Sequence, residues 1–292
     1  MKHSISNDKL EVSILQTGTE ICSIKSVRTG LEYMWDANPD IWGSHAPVLF
    51  PAIGAIKNKE AIINGKPYQV PRHGFVRHNE DIRLVSSTSD ELKYQLDYSA
   101  ETLKVYPFKF QFNIIFRLEE SKLTVLHQVK NLDDQKMYFC LGGHPAFRCP
   151  VHAGEKYEDY FLEFEKEENA STTLLSPEGL ITDVTEPMIE NSNILNLRSD
   201  LFNRDALIFK NLKSQSVSLK SRKSEQSLTV SYQEFNFLGI WAKPNADFVC
   251  IEPWLGMADH ENTDGQFHQK EGIVQLEAGE EFNASYKIEI HD

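Results

Sequence analysis

A chain of 292 residues, 40% of them hydrophobic, can bury a sizeable core, and a single all-β domain can account for that length. Its formal charge of −13 argues against general nucleic-acid binding, because an acidic surface repels the phosphate backbone, though it leaves room for a local basic pocket. No run approaches the roughly 18 apolar residues of a membrane span, and Met1-Lys2-His3-Ser4 does not open an apolar signal stretch, so the expected compartment is the cytoplasm.

The dominant period along the chain is two. Leu10–Leu15 is the first short strand-like run. Ile62-Ile63-Asn64-Gly65-Lys66-Pro67-Tyr68 follows, and its Asn-Gly pair predicts a two-residue hairpin turn with both central residues at positive φ. Leu92–Tyr98 is the next run. Phe108, Phe110, Phe112, Ile114, Phe116 and Leu118 then alternate with Lys109, Gln111, Asn113, Ile115 and Arg117, which puts one aromatic row on one strand face. Leu123, Val125, His127 and Val129 continue the alternation beyond the turn-like Glu119-Glu120-Ser121-Lys122, so a hairpin is predicted there.

Residues 165–193 are polar and lack a clear period, and predict an irregular excursion over the surface. Val217–Leu219, Leu228–Tyr232 and Tyr286–Ile290 complete the strand-like series. No long stretch carries a helical apolar stripe, no linker divides the chain, and no repeat of fixed period occurs. The prediction is an all-β chain: one domain over residues 1–292, a sandwich or barrel of many antiparallel strands with few short helices.

Cys22, Cys140, Cys149 and Cys250 are scattered with no C-x-x-C pairing, so reduced thiols are expected rather than a zinc or redox site. No His-x-His or His-Glu-x-x-His spacing occurs, and neither a phosphate-binding nor a dinucleotide-binding glycine motif is present. No metal or cofactor is therefore expected.

Three segments place titratable groups where buried strand ends are expected. Val70-Pro71-Arg72-His73-Gly74-Phe75-Val76-Arg77-His78 gathers positive charge in an acidic chain. Phe139-Cys140-Leu141-Gly142-Gly143-His144-Pro145-Ala146-Phe147 runs a strand into a glycine pair and a histidine held extended by the following proline. The glycine pair would let a ligand approach the main chain, and His144 is the side-chain type suited to proton transfer near neutrality. Phe248-Val249-Cys250-Ile251-Glu252-Pro253-Trp254 places a carboxylate after four apolar residues, where burial demands a partner or a function. Trp254 would offer an aromatic face to the apolar side of a sugar.

The order and spacing of these segments resemble the aldose 1-epimerase (galactose mutarotase) family, in particular its short bacterial branch found with lactose or galactose genes. The resemblance runs from Ile21-Cys22-Ser23-Ile24 and Glu32-Tyr33-Met34-Trp35 through Asn38-Pro39-Asp40-Ile41-Trp42 and Pro47-Val48-Leu49-Phe50-Pro51. It continues with His73-Gly74-Phe75, Gly142-Gly143-His144-Pro145, Asp205-Ala206-Leu207-Ile208 and Ile251-Glu252-Pro253-Trp254, and ends at Leu276-Glu277-Ala278-Gly279-Glu280.

The resemblance implies a large antiparallel β-sandwich that opens and recloses the ring of a free monosaccharide without a cofactor. It implies His144 as general acid at the ring oxygen and Glu252 as base at the anomeric hydroxyl. His73 would bind near the ring oxygen and Asp205 would hold sugar hydroxyls. Near pH 7 the expected resting pair is a protonated histidine and an ionised glutamate. Where the family has an arginine shortly after Leu-Phe-Pro-x-x-Gly, this chain has Ala55; Lys57 or Arg77 could substitute. That change motivates two alternatives. One is a hexose-6-phosphate mutarotase in which Arg72, Arg77 and Lys57 receive the phosphate. The other is a non-catalytic sugar-binding or regulatory protein. Either a monomer or a homodimer fits the sequence.

Overall fold

Alternating sequence becomes alternating burial in the Lys122–Asn131 strand, while its partner Phe110–Glu119 alternates at its ends and is buried on both faces from Phe112 to Phe116. They form the predicted hairpin, with Phe112 opposite Val129, Ile114 opposite His127 and Phe116 opposite Val125, all buried. The computed structural model describes residues 1–292, and this hairpin lies inside a nine-stranded antiparallel sheet. From one edge its strands are Ile181–Asn196, Tyr160–Leu175, Ser216–Ser221, Ser227–Ser231, Glu281–His291, Lys122–Asn131, Phe110–Glu119, Glu91–Asp97 and Arg83–Ser87.

A second, six-stranded sheet carries Leu207–Phe209, Phe237–Trp241, Phe248–Leu255, Leu141–Gly143 and Val48–Leu49 in that order. Ala146–Arg148 also pairs with Phe248–Leu255. All eight residues of Phe248–Leu255 are buried, so its sequence is a nearly continuous apolar run rather than an alternating one. Phe50 leaves the second sheet and stacks on Phe112 of the first at a centroid distance of 4.7 Å. Around that contact a continuous core gathers Phe110 and Tyr286 from the first sheet and Val249 and Ile251 from the second, with Phe139 from a separate two-stranded ladder. Each such side chain contributes about 1.5–3 kcal/mol by leaving water.

The fold is thus the expected antiparallel sandwich. Helix is confined to Ala100–Val105, started by a Ser99–Thr102 capping box, and to five single 3-10 turns. The Asn-Gly hairpin forms between Ala61–Ile63 and Lys66–Tyr68, with φ of 51° at Asn64 and 74° at Gly65, as its turn type requires.

Residues 165–193 depart from expectation. They belong to two 16-residue strands, Tyr160–Leu175 and Ile181–Asn196, that pair along their length. Register shifts between Glu163 and Glu168, at Ala170 and near Thr173 break the alternation that would have revealed them. The outer strand is a sheet edge, and its polar residues face solvent. The tip of this hairpin reaches over the second sheet, where Ile181 N–H donates to the Asp259 carbonyl (2.8 Å) and Glu261 N–H to the Ile181 carbonyl (2.9 Å).

Candidate active site

Glu252 is 1% exposed in the middle of an apolar strand, opposite Gly239 of the neighbouring strand. His144 follows directly on Leu141–Gly143. Its N–H donates to the Pro47 carbonyl (3.0 Å), and the Pro145 carbonyl accepts from Ile251 N–H (3.2 Å). These backbone bonds fix the imidazole beside the carboxylate: His144 Nε2 lies 3.2 Å from Glu252 Oε2. The two residues are 108 positions apart in the chain and meet because their strands are neighbours.

The three nearby strand glycines make room for side chains. A Cβ at Gly142 would lie 2.8 Å from the Pro253 carbonyl oxygen and 2.9 Å from Trp254 Cδ1. At Gly239 it would lie 2.5 Å from Trp254 Cζ2. Trp254 therefore stands between two glycines on the strands flanking its own. Gly143 faces the opposite way, where a Cβ would meet the Tyr286 ring at 2.7 Å. The Gly142-Gly143 pair thus admits Trp254 and Tyr286, and not a ligand as its sequence suggests; neither glycine lines the cavity.

That cavity has a volume of about 720 Å³, ample for a pyranose. His144 and Glu252 lie on its wall, together with His73, Arg72, Arg77, Asp205 and Trp254. The hairpin tip contributes Leu174 to Pro177 and Gly179. Two further aromatics, Trp42 and Trp241, complete the surroundings of His144. Trp42 stacks on the imidazole at 5.1 Å and Trp241 meets it edge-on at 5.8 Å. Nothing in the residue pattern around either tryptophan singles it out; Trp42 is visible only as part of the Asn38–Trp42 segment of the resemblance.

His73 and Asp205 both hold left-handed backbone conformations, with φ of 62° and 74°. Such strain in non-glycine residues concentrates at functional sites. His73 N–H donates to the Gly54 carbonyl (3.1 Å), and its Nδ1 accepts from Gly54 N–H (3.2 Å). Nδ1 is therefore the lone-pair nitrogen and Nε2 carries the hydrogen. Arg72 Nε approaches Nε2 at 3.5 Å; with a hydrogen on each atom this is a contact, not a bond. The His73 ring meets the His144 ring edge-on at 5.8 Å.

The cations divide. Arg72 and Arg77 line the cavity, and Arg77 Nη2 donates to Ser44 Oγ (3.4 Å). Lys57 does not line it. Its Nζ donates to the Thr263 carbonyl (3.0 Å) and its N–H to Asp259 Oδ2 (2.9 Å), which hold it outside the wall. Ala55 also lies off the wall. Arg72 reaches its neighbourhood instead: a Cβ on Gly179 would lie 3.3 Å from Arg72 Nη1 and 3.7 Å from Ala55 Cβ.

Burial governs the proton balance. It lowers His144 to about 3, helped by the Arg77 charge. It raises Glu252 well above the usual carboxylate range, opposed by the Trp254 indole N–H, which faces the carboxylate without closing an ordinary hydrogen bond. His73 is held neutral by burial, helped by the Arg72 and Arg77 charges. Both members of the pair thus favour their neutral forms, the reverse of the ion pair expected from sequence, because burial among apolar strands penalises charge.

Beneath the pair lies Cys250. His144, Cys250 and Glu252, all buried, bring one ligand atom each within 4.8 Å of one another. None of the four cysteines is disulfide-bonded, and three of them are buried. No helix is long and apolar enough to cross a membrane.

Comparison with known proteins points the same way as the architecture. Residues 1–288 match the family model described as aldose 1-epimerase. The chain is 35% identical to the plasmid-encoded protein LacX of Lactococcus lactis subsp. lactis, over 99% of each. Among solved structures, a galactose mutarotase related enzyme from Lactobacillus acidophilus superposes with a TM-score of 0.95 at 36% identity, covering 100% of this chain and 98% of that one. A galactose mutarotase-like protein from Lactobacillus casei gives a TM-score of 0.93 at 29% identity, with both chains covered fully. The chain belongs to the aldose 1-epimerase family.

Proposed function

We propose that the chain is an aldose 1-epimerase-like isomerase that interconverts the α and β anomers of a free monosaccharide at the His144–Glu252 pair. The observation that carries this reading is the 3.2 Å approach of an imidazole nitrogen to a buried carboxylate on the wall of a sugar-sized cavity. Mutarotation requires one proton to leave the anomeric hydroxyl and one to reach the ring oxygen. The C1–O5 bond then breaks and C1 becomes an aldehyde. Rotation about C1–C2 precedes reclosure on the other face, with the two proton transfers reversed.

Glu252 accepts the hydroxyl proton and His144 supplies the ring-oxygen proton. A neutral imidazole beside a protonated carboxyl and an imidazolium beside a carboxylate hold the same number of protons. Sugar hydroxyls entering the cavity supply the hydrogen bonds that the buried carboxylate lacks, and these favour the charged arrangement. The Nε2–H of His73 donates toward the ring oxygen and C1. Asp205, Arg72 and Arg77 hold hydroxyls, and Trp254, with Trp42 and Trp241, presents ring faces to the sugar C–H groups.

The alternatives fare less well. A phosphate site built from Arg72, Arg77 and Lys57 loses Lys57 to the Thr263 carbonyl. An inactive binding protein was suggested by Ala55, yet the acid/base pair is assembled without an arginine at that position. Anomer-exchange NMR on galactose, glucose and their 6-phosphates tests the reading. His144→Ala and Glu252→Gln are each expected to lose about 10²–10⁴-fold in exchange rate with unchanged circular dichroism. Normal turnover by both variants overturns it.

A further inference from the structure

Cys250 has no part in the proton transfers, yet its sulfur sits with them. It lies two residues before Glu252 on one strand, which places the two side chains on the same face. The ligand atoms of His144, Cys250 and Glu252 fall within 4.8 Å of one another, and His144 Nε2 is already 3.2 Å from Glu252 Oε2. A zinc ion holds sulfur at about 2.3 Å and nitrogen or oxygen at about 2.0–2.2 Å. Its donors therefore stand roughly 3.3–3.8 Å apart, within a small side-chain adjustment of this cluster. Glu252 Oε2 is buried without a protein hydrogen bond, a site-directed lone pair with unmet demand.

We infer that His144, Cys250 and Glu252 form an inhibitory site for a thiophilic divalent cation, of which Zn²⁺ is the archetype. The donor set is decisive for the class: imidazole and thiolate select Zn²⁺ over Mg²⁺ or Ca²⁺, which prefer all-oxygen shells. Three protein ligands leave a fourth position for solvent, and His144 and Glu252, which line the cavity, give the ion its way in to the sulfur buried behind them. Binding displaces the thiol proton and the mobile proton of the acid/base pair, and both pass to solvent. The ion then occupies the imidazole lone pair and the carboxylate together, so neither can exchange a proton with a sugar. The site itself stands on geometry; only its inhibitory effect rests on the acid/base reading.

The experiment uses the full chain with Zn²⁺ alone and Co²⁺ alone, in native protein and in Cys250→Ser and Cys250→Ala. The two replacements guard against one of them failing to fold, which circular dichroism checks. Zn²⁺ is expected to inhibit anomer exchange in the native protein, reversibly on adding EDTA. Both variants are expected to exchange anomers at close to the native rate without metal. Outer partners alone are worth about 10–100-fold in metal affinity, so loss of the sulfur ligand weakens inhibition on the order of 100-fold. Co²⁺ is expected to give a near-ultraviolet thiolate charge-transfer band in the native protein that both variants lack.

Equal Zn²⁺ sensitivity of native and variants, or absence of the cobalt–thiolate band, overturns the inference. A Cys250-dependent band in a protein that exchanges no anomers upholds the metal site and removes the acid/base reading instead.

Discussion

Gly54 donates its backbone N–H to Nδ1 of His73 at 3.2 Å, and in doing so decides which nitrogen of that ring can donate to a ligand. The proton is left on Nε2, in a ring that meets the His144 ring edge-on at 5.8 Å. His73→Asn tests the donor with little cost to the backbone, because asparagine tolerates the φ of 62° at this position. A lost hydrogen bond to a buried polar atom costs about 1–3 kcal/mol, so kcat/KM for anomer exchange is expected to fall roughly 5–150-fold with Tm little changed. His73→Val, a β-branched residue at positive φ, is expected to lose stability as well.

Asp205 shares that backbone strain, with φ of 74°, and turns one oxygen, Oδ1, onto its neighbour Ala206 N–H at 2.8 Å. Asp205→Asn keeps the shape and the tolerated conformation but removes the charge. KM is expected to rise about 5–10-fold, since a charged hydrogen bond becomes a neutral one. The folded state is expected to be as stable as the native one by thermal denaturation. An unchanged KM would remove Asp205 from the sugar site.

Much of this architecture is legible in the residues, and the failures have physical causes. The aromatic row of Phe110–Leu118 declares its strand because every second side chain enters the core, even though Asn113 and Ile115 on the other face are buried as well. The hairpin of residues 160–196 hides because its bulges shift the pairing, so buried positions such as Glu168, Thr172 and Ile189 no longer alternate. His144 and Glu252 stand out as titratable groups in apolar runs, but their 3.2 Å approach depends on strand order, which no local pattern carries. Choosing among the cations fails for a similar reason. The Lys57 ammonium is taken up by a carbonyl 206 residues away, while Arg72, beside His73, reaches the space near Ala55.

The glycines beside Trp254 give a prediction about packing. A methyl group at Gly142 meets the Pro253 carbonyl, which cannot move without the strand, as well as the indole. Gly142→Ala is expected to destabilise by about 1–3 kcal/mol through overpacking. At about 2–4 °C per kcal/mol for a chain of this size or somewhat smaller, Tm falls by roughly 2–12 °C. Trp254 is displaced toward the cavity, so KM rises too. Gly279→Asn is the control: its φ of 78° suits asparagine and a Cβ there meets nothing within 4 Å, so neither quantity should move.

His127 sits in the core between Phe112 and Tyr286, fully buried, with neither ring nitrogen hydrogen-bonded. Burial lowers it to about 3, so the native state keeps it neutral while the unfolded chain takes up a proton below its ordinary value of about 6.5. The unfolded state then binds more protons across that window, and stability falls as pH drops from about 6.5 toward 3. At pH 5 the loss from this residue is about 2 kcal/mol relative to pH 7.5. His127→Leu removes the titration and the two unsatisfied nitrogens together. Urea denaturation is expected to show the variant at least as stable as the native protein at pH 7.5, with its drop in stability at pH 5 smaller by about 2 kcal/mol. Equal acid sensitivity in the two proteins would mean that protonation elsewhere, and not at this buried imidazole, drives acid unfolding.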